Sequence, residues 1–423
     1  MTASVAPATT DDVRPPAATA ARGALVMGGA HGSLAVARSL GRRDIPVWFL
    51  THDHPLARFS RYVTHSGSWP GPNDPDAAEF LLRFGRRHRL DGWTLFPCGD
   101  AEVQFVARNH AALSAAFRVA TPPWAITRWT ADKRLTHQFA AEIGLHSPWS
   151  YYPRDRQDVA QVDCRFPVIL KPTVHEQRNS FTRAKAWRAD DRETLVARFV
   201  EAAALVGEQQ IVLQELIPGG GERQFSYAAL CDRGVPVASL VARRTRQFPI
   251  DFGYTSTFVE TIERPELEEA ACRLLRSLEY SGLVEVEFKY DVRDGRYKLL
   301  DINARPWTWL GLGAAAGVDF PFLAWQLAQG ETPVPARGRA DVRWIHLTRD
   351  VAAVCQQICA GVRSPTRYRN TFWRPVTFAV FATDDPLPGL LELPLVVARM
   401  LMRSMPRRRT AGRAPTAQPR PTP

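Results

Sequence analysis

The chain has 423 residues, enough for two or three domains and a sizeable core. Its content, 45% apolar and 23% charged, excludes a wholly disordered chain, a collagen and a polytopic membrane protein. The net charge of +11 gathers at the C-terminus, where no acid follows Glu392 and seven arginines do, so the positive balance does not imply a nucleic-acid-binding core. Residues 1–22, rich in Ala, Thr and Pro, read as a disordered leader. From Gly23 a βαβ opening is predicted: a strand over 24–27, a G-G-A-H-G-S turn, a helix over 34–40 and a strand over 46–50. Alternation continues with a helix near 76–88, a strand at 92–97, a helix at 102–110 and a strand at 117–120. Residues 23–122 therefore read as a doubly wound parallel sheet. The glycine turn lacks full G-x-G-x-x-G spacing, and only Asp53 stands as a faint acidic partner for a dinucleotide. A structural or substrate-facing turn fits it better.

Beyond Thr130 the texture becomes α+β. Thr130 is expected to cap a helix over 131–143 that Gly144 ends. A strand at 168–170 runs into Lys171, and a helix over 192–206 precedes a strand at 211–214. Two strands at 224–231 and 237–243 read as antiparallel. A helix over 265–278 leads to strands at 283–290 and 297–303, and a helix over 313–327 closes a region spanning 123–333. The segment 334–405 is a C-terminal extension. Its last part joins an apolar run to arginines, so it reads either as a helix docked on the body or as one lying on a membrane surface. Residues 406–423 read as a disordered basic tail. Six scattered cysteines without a CxxC pair, and no signal peptide, point to a reducing cytoplasm.

Three patterns carry chemistry. In L-V-E-V-E-F-K-Y (283–290), period-two alternation puts Glu285, Glu287 and Lys289 on one face. In the next strand Asp301, Asn303 and Arg305 share a face. Glu287, Asp301 and Asn303 then present hard oxygen donors together, which suits Mg²⁺ bridged to phosphates, with Arg305 placed to meet developing negative charge. The alternative, a solvent-facing polar sheet, fits poorly with the apolar Leu299, Leu300 and Ile302. The chain has only five lysines against 49 arginines. Lys171 ends an apolar strand, and Lys133 sits in a first helical turn, where a cation opposes the helix dipole. Both make sense around a polyphosphate. Finally, V-L-Q-E-L-I-P-G-G-G-E (212–222) offers backbone groups to an adenine edge and Glu222 to ribose, although an ordinary hairpin explains it as well.

In their order and spacing, A-D-K-R, P-V-I-L-K-P, Q-E-L-I-P-G, V-E-F-K-Y-D and L-L-D-I-N-A-R-P-W make the region 23–330 resemble the ATP-grasp superfamily, in its carboxylate–amine ligase branch with D-aspartate ligase-like enzymes. The resemblance implies a preATP-grasp domain followed by two α+β lobes that grip ATP. By it, Lys133 and Lys171 contact phosphates, and Glu215 and the Ile217 backbone meet adenine. Glu222 meets ribose, while Glu287, Asp301 and Asn303 hold two Mg²⁺ ions, with Mn²⁺ as an alternative. Arg305 stabilises the transferring phosphoryl group. Two features depart from the pattern. The loop after Lys171 has no glycine, so either His175, Arg178, Asn179 and Ser180 replace backbone donors by side chains or the lid is impaired and turnover slow; and Asp301 stands where Glu is commoner. Arg244, in an arginine-rich stretch between adenine and metal strands, is a candidate for the substrate carboxylate, or else a surface arginine. The expected reaction joins a small-molecule carboxylate, activated as acyl phosphate, to an amine, with an amino acid among the partners. A weakly catalytic ATP-binding module on a membrane or envelope-polymer assembly is the alternative, as is carbamoyl-phosphate or carboxylase chemistry on the same scaffold. A homo-oligomer is left open.

Overall fold

The computed structural model describes residues 22–173, 179–249, 255–359, 361, 368 and 370–404. Residues 1–21 of the expected leader and the whole of the expected basic tail, 406–423, lie outside them. Three sheets follow one another along the chain. The first contains β1 (Ala24–Met27), β2 (Val47–Thr51), β3 (His65–Ser68), β4 (Thr94–Pro97) and β5 (Arg118–Val119), in the order β3-β2-β1-β4-β5. All its pairings are parallel, as the alternating pattern predicts. β1 is central and every residue of it is buried, so it reads as an unbroken apolar run. At its end Gly28 and Gly29 adopt positive φ, and a Cβ on Gly28 would lie 2.3 Å from the Glu102 carboxylate.

The second sheet contains β6 (Ser150–Tyr151), β7 (Val168–Pro172), β8 (Trp187–Ala189) and β9 (Ile211–Glu215), ordered β6-β9-β7-β8 and antiparallel throughout. Val168, Leu170, Ile211 and Leu213 pack on Leu195, Phe199 and Ala202 of the helix Arg192–Val206. That helix starts where the Asp191 side chain accepts from the Thr194 backbone N–H. With one face buried there, alternation turns Lys171 and Gln214 to the opposite face.

The third sheet is the largest. β10 (Gln224–Asp232), β11 (Val235–Phe248), β12 (Thr255–Ile262), β13 (Gly282–Asp291) and β14 (Arg296–Asn303) are joined by β15 (Ala336–Arg337), β16 (Arg343–Ile345) and β17 (Thr377–Phe378). The order is β14-β13-β10-β11-β12-β16-β17, with β15 on β11. One face packs on the helix Pro265–Ser277 through Leu267, Ala271, Leu274 and Leu275. The other shares a core with the first sheet: Leu230 and Leu240 belong to one buried cluster with Val26, Phe96, Trp307 and Trp309. These two tryptophans are 1% exposed and pack in this core, Trp309 also donating from Nε1 to a carboxylate of the third sheet.

Several expected boundaries shift for identifiable reasons. The helix expected over 131–143 is two helices, Trp124–Ala131 and Lys133–Glu142. Asp132, in extended conformation, separates them and caps the second by accepting from the Arg134 N–H; Thr130 instead donates to the Thr127 carbonyl. The helix expected over 313–327 also divides, into Gly311–Ala315 and Phe320–Ala328. Gly317 has φ +93°, and Pro321 sits in the first turn of the second helix. The region after Gly330 supplies three strands to the large sheet before the helix Leu387–Ser404. Asp385, just ahead of that helix, accepts from Arg38 Nε (2.8 Å), Ser60 Oγ (2.7 Å) and the Arg61 N–H (2.9 Å), fixing this end to the N-terminal sheet domain. Among the described residues no helix is long and apolar enough to cross a membrane.

Candidate active site between two sheets

The second and third sheets meet along one edge, and Glu215 fastens it. Its carboxylate accepts from the Trp149 N–H at 3.0 Å, Lys298 Nζ at 2.7 Å and Arg293 Nη2 at 2.6 Å. Lys289 Nζ adds a bond of 2.7 Å to the Gly219 carbonyl in the glycine turn after β9. The Glu215 side chain is occupied by these donors and its backbone N–H donates to the Trp149 carbonyl at 2.9 Å, so neither group is left for the expected adenine contact. Ile217 is buried beside it, and the Glu222 carboxylate accepts from the Gly220 N–H at 2.9 Å.

Across the cleft, β13 and β14 pair Glu285 with Asn303 and Glu287 with Asp301. Antiparallel register thus sets four oxygen-bearing side chains on one face. Asn303 Nδ2 donates to Glu287 Oε1 at 2.8 Å and to Glu285 Oε2 at 3.2 Å. Glu285 also accepts from Ser226 Oγ at 2.8 Å and Trp309 Nε1 at 3.0 Å. Burial, reinforced by Glu287, pushes its carboxyl up to about 7. A bulge at Leu300 follows the Glu287–Asp301 pair, so Lys289 lies opposite Lys298 and joins the fastening at the sheet edge.

The lysines converge on these acids. Lys133, the first residue of its helix, donates to Asp301 Oδ2 at 2.5 Å. Burial alone would lower the Lys133 ammonium, but Asp301 outweighs it and holds it above the ordinary lysine value. Asp301 is held low in turn, since Lys133 outweighs the effect of burial. Lys171 Nζ donates to the neutral Gln214 Oε1 at 2.6 Å. Burial first, then Lys133, pushes Lys171 down to about 7. Lys185 is pushed down to about 8 by burial, with Glu287 opposing the shift. With Lys289 and Lys298 on the connecting edge, all five lysines of the chain surround this cleft. Ammonium groups crowded so closely favour a ligand carrying several negative charges. His137, which reads in the sequence as an isolated histidine, stands among them and is pushed down to about 4 by burial and then by Lys133.

Two arginines complete the floor. Arg244 is ion-paired with Glu287 and donates from Nε to Ser256 Oγ at 2.6 Å, so it is buried within the site rather than on the surface. Arg305 donates from Nη2 to Asn303 Oδ1 at 3.3 Å and from Nε to Asp100 Oδ1 at 2.5 Å, linking the cleft to the N-terminal domain. Lys133, Lys171, Arg244, Glu287, Asp301, Asn303 and Arg305 thus share one cleft, and Glu215, Ile217 and Glu222 lie along the edge where the two sheets meet. His175 and Arg178 lie outside the described residues. Asn179 caps the helix Ser180–Ala184, accepting from the Thr182 N–H at 2.9 Å, so its side chain is committed to the backbone rather than to a phosphate. Lys185, Glu285 and Asp100 belong to the site but were not singled out by sequence. Lysine scarcity points equally to Lys185, and strand alternation to Glu285. The donor set of the floor fits magnesium: carboxylates and an amide in mutual contact, partly buried, with hard oxygen atoms only.

A family described as "ATP-grasp in the biosynthetic pathway with Ter operon" matches residues 209–348. A D-aspartate ligase of Enterococcus faecium is 24% identical over 250 residues, which cover 55% of this chain and 58% of that ligase. The chain therefore spans little more than half the length of that relative. Among solved structures, an L-amino acid ligase from Bacillus licheniformis superposes with a TM-score of 0.56 at 17% identity, covering 74% of this chain and 75% of that one. A biotin carboxylase from Campylobacter jejuni superposes with a TM-score of 0.57 at 13% identity, covering 73% and 71%. The fold is that of the ATP-grasp proteins, behind an N-terminal parallel-sheet domain.

Proposed function

We propose that this ATP-grasp protein, similar to carboxylate–amine ligases, uses ATP to join a small-molecule carboxylate to an amine. The observation that carries the reading is the direct contact of Lys133 with Asp301, within a ring of scarce lysines facing Glu285, Glu287 and Asn303. A triphosphate needs cations on one side and metal-holding oxygens on the other, and this cleft supplies both. In the proposed reaction a carboxylate oxygen of the substrate attacks the γ-phosphorus and ADP leaves. The amine then attacks the acyl carbon, phosphate leaves, and the amine nitrogen loses a proton. Phosphate is the better leaving group, so the energy of ATP is invested in that exchange.

In this account Lys133 and Lys171 bind phosphate oxygens, the backbone at Ile217 meets adenine, and Glu222 meets ribose. Glu287, Asp301 and Asn303 would hold magnesium, which when bound neutralises phosphate charge. Arg305, fixed by Asp100, stabilises the transferring phosphoryl group. Arg244 binds the substrate carboxylate from a position already committed to charge recognition. The same reading takes 23–122 as the first domain, 123–333 as the ATP-grasp lobes and 334–405 as the extension. Leu390, Leu393 and Val397 lie exposed on the last helix, ahead of the arginine-rich end; this supports peripheral contact of a cytoplasmic protein with a membrane surface.

The test is incubation of the full chain with ATP, Mg²⁺ and pools of amino acids, reading both phosphate release and the masses of the products. Release that depends on an amino acid, with a product lighter than its two precursors by one water, is the expected result. ADP formation indifferent to every acid and amine, or a carboxylated or carbamoylated product, contradicts the ligase reading.

A further inference from the structure

Away from the cleft, three residues far apart in sequence meet in the interior. His31 opens the helix His31–Gly41 of the first domain, His346 follows β16, and Glu392 lies in the last helix. They are 7%, 1% and 6% exposed. Their ligand atoms form a nearly equilateral triangle. His31 Nε2 and His346 Nε2 are 2.9 Å apart, and Glu392 Oε1 is 3.2 Å from the first and 3.1 Å from the second.

With the carboxylate ionised, no choice of imidazole tautomers makes all three edges hydrogen bonds. If both Nε2 atoms carry hydrogen, the two hydrogens face each other. If one lacks it, that nitrogen turns its lone pair to the carboxylate lone pairs. A second observation selects the tautomer of His346. Thr348 Oγ1 lies 3.2 Å from His346 Nδ1 and donates to Glu392 Oε2 at 3.1 Å. Its hydrogen being spent on Glu392, Thr348 accepts from Nδ1–H, and the Nε2 lone pair of His346 points into the triangle. This is how an outer hydrogen bond orients a metal-binding histidine.

We propose that His31, His346 and Glu392 form a binding site for a four-coordinate divalent transition ion, zinc foremost. Zinc bonds of about 2.0–2.1 Å give tetrahedral edges of about 3.3–3.4 Å, slightly longer than the edges found, and one cation replaces three conflicting contacts by three bonds. Burial favours four ligands over six, since an octahedral ion would need three further donors in this interior. Two nitrogens and one carboxylate suit zinc better than magnesium, which prefers oxygen. The ion ties the N-terminal domain, the large sheet and the last helix together at one point. The inference does not depend on the ligase reading.

Cobalt(II) reports the geometry, because tetrahedral cobalt absorbs visible light far more strongly than octahedral cobalt. The full chain, freed of metal by chelation, is titrated with Co²⁺ under saturating Mg²⁺, which fills oxygen-only sites. One equivalent with intense visible bands and no sulfur-to-metal charge-transfer band is expected, displaced by Zn²⁺. Thr348→Val should weaken binding about tenfold, and His346→Ala should abolish the bands. Glu392→Cys should add the charge-transfer band and so identifies the ligand even if His346→Ala fails to fold. Absence of intense bands, a weak octahedral spectrum, a charge-transfer band already in the unaltered chain, or Glu392→Cys binding without that band overturns the site.

Discussion

Lys171 shows how one side chain connects charge, binding and pH. Its partner is a neutral amide, and its neighbours include Lys133, Lys185 and Lys289. Without an anion the ammonium is held down to about 7. Between that value and the ordinary lysine range, the unfolded chain carries a proton that the folded chain lacks, so this residue makes stability rise with pH across that window. A triphosphate in the cleft favours the charged form and should reverse the shift. Calorimetry of Mg·ATP binding at pH 8 in buffers of different ionisation enthalpy is expected to show net proton uptake that shrinks at pH 6. Lys171→Arg, which keeps its charge throughout, should bind with less uptake. Equal uptake in both proteins would dissociate Lys171 from the phosphates. At this scale the sequence was informative through rarity: five lysines among 54 cations marked Lys133 and Lys171. It was less so for Glu285, because alternation assigns a face but not the Ser226 and Trp309 bonds that hold the acid there. His31 was legible only as part of the glycine turn and His346 only as an isolated histidine, since their proximity is set wholly by tertiary packing.

At the scale of elements, period-two and helical patterns located most strands and helices, while their interruptions were harder to see. The break at Asp132 falls inside a continuous helical pattern, and only the cap geometry shows why Lys133 begins a helix. The bulge at Leu300 left Asp301 and Asn303 in place but moved the Lys289 pairing to the sheet edge. The helix Leu347–Cys359 is held to β11 and β12 by a buried contact that local pattern does not disclose. Asp350 accepts from Arg246 Nε at 2.8 Å, Arg246 Nη2 at 2.7 Å and Thr257 Oγ1 at 2.7 Å, and both partners of the ion pair are almost fully buried. Asp350→Ala leaves the guanidinium buried without its counter-charge and should cost about 3–5 kcal/mol in denaturant unfolding. The double variant Asp350→Leu with Arg246→Met should recover most of that loss. A cost below 1 kcal/mol for Asp350→Ala would mean that the pair does not hold the helix.

For the whole molecule, the continuous core through Trp307 and Trp309 seats the large sheet against the N-terminal domain. Asp100 in that domain can therefore fix Arg305 in the cleft. The doubly wound order of the first sheet was legible because strands and helices alternate. The joining of β15, β16 and β17 to the large sheet was not, because short strands separated from their partners by long connections leave little local signal. The exposed Leu390, Leu393 and Val397 predict that the full chain co-sediments with vesicles containing anionic lipid, and that a 1–385 truncation loses this. Equal sedimentation of the two would remove the helix from membrane contact.

The central claim is that a triphosphate is held between the lysines and the carboxylate face of β13 and β14. It is tested most directly by amino-acid-dependent phosphate release from Mg·ATP in the unaltered chain and in Glu287→Gln combined with Asn303→Ala, with circular dichroism to verify the fold. We predict a loss of at least about 100-fold in the folded double variant, the scale expected when groups that stabilise developing charge are removed. Turnover equal to that of the unaltered chain would contradict the account.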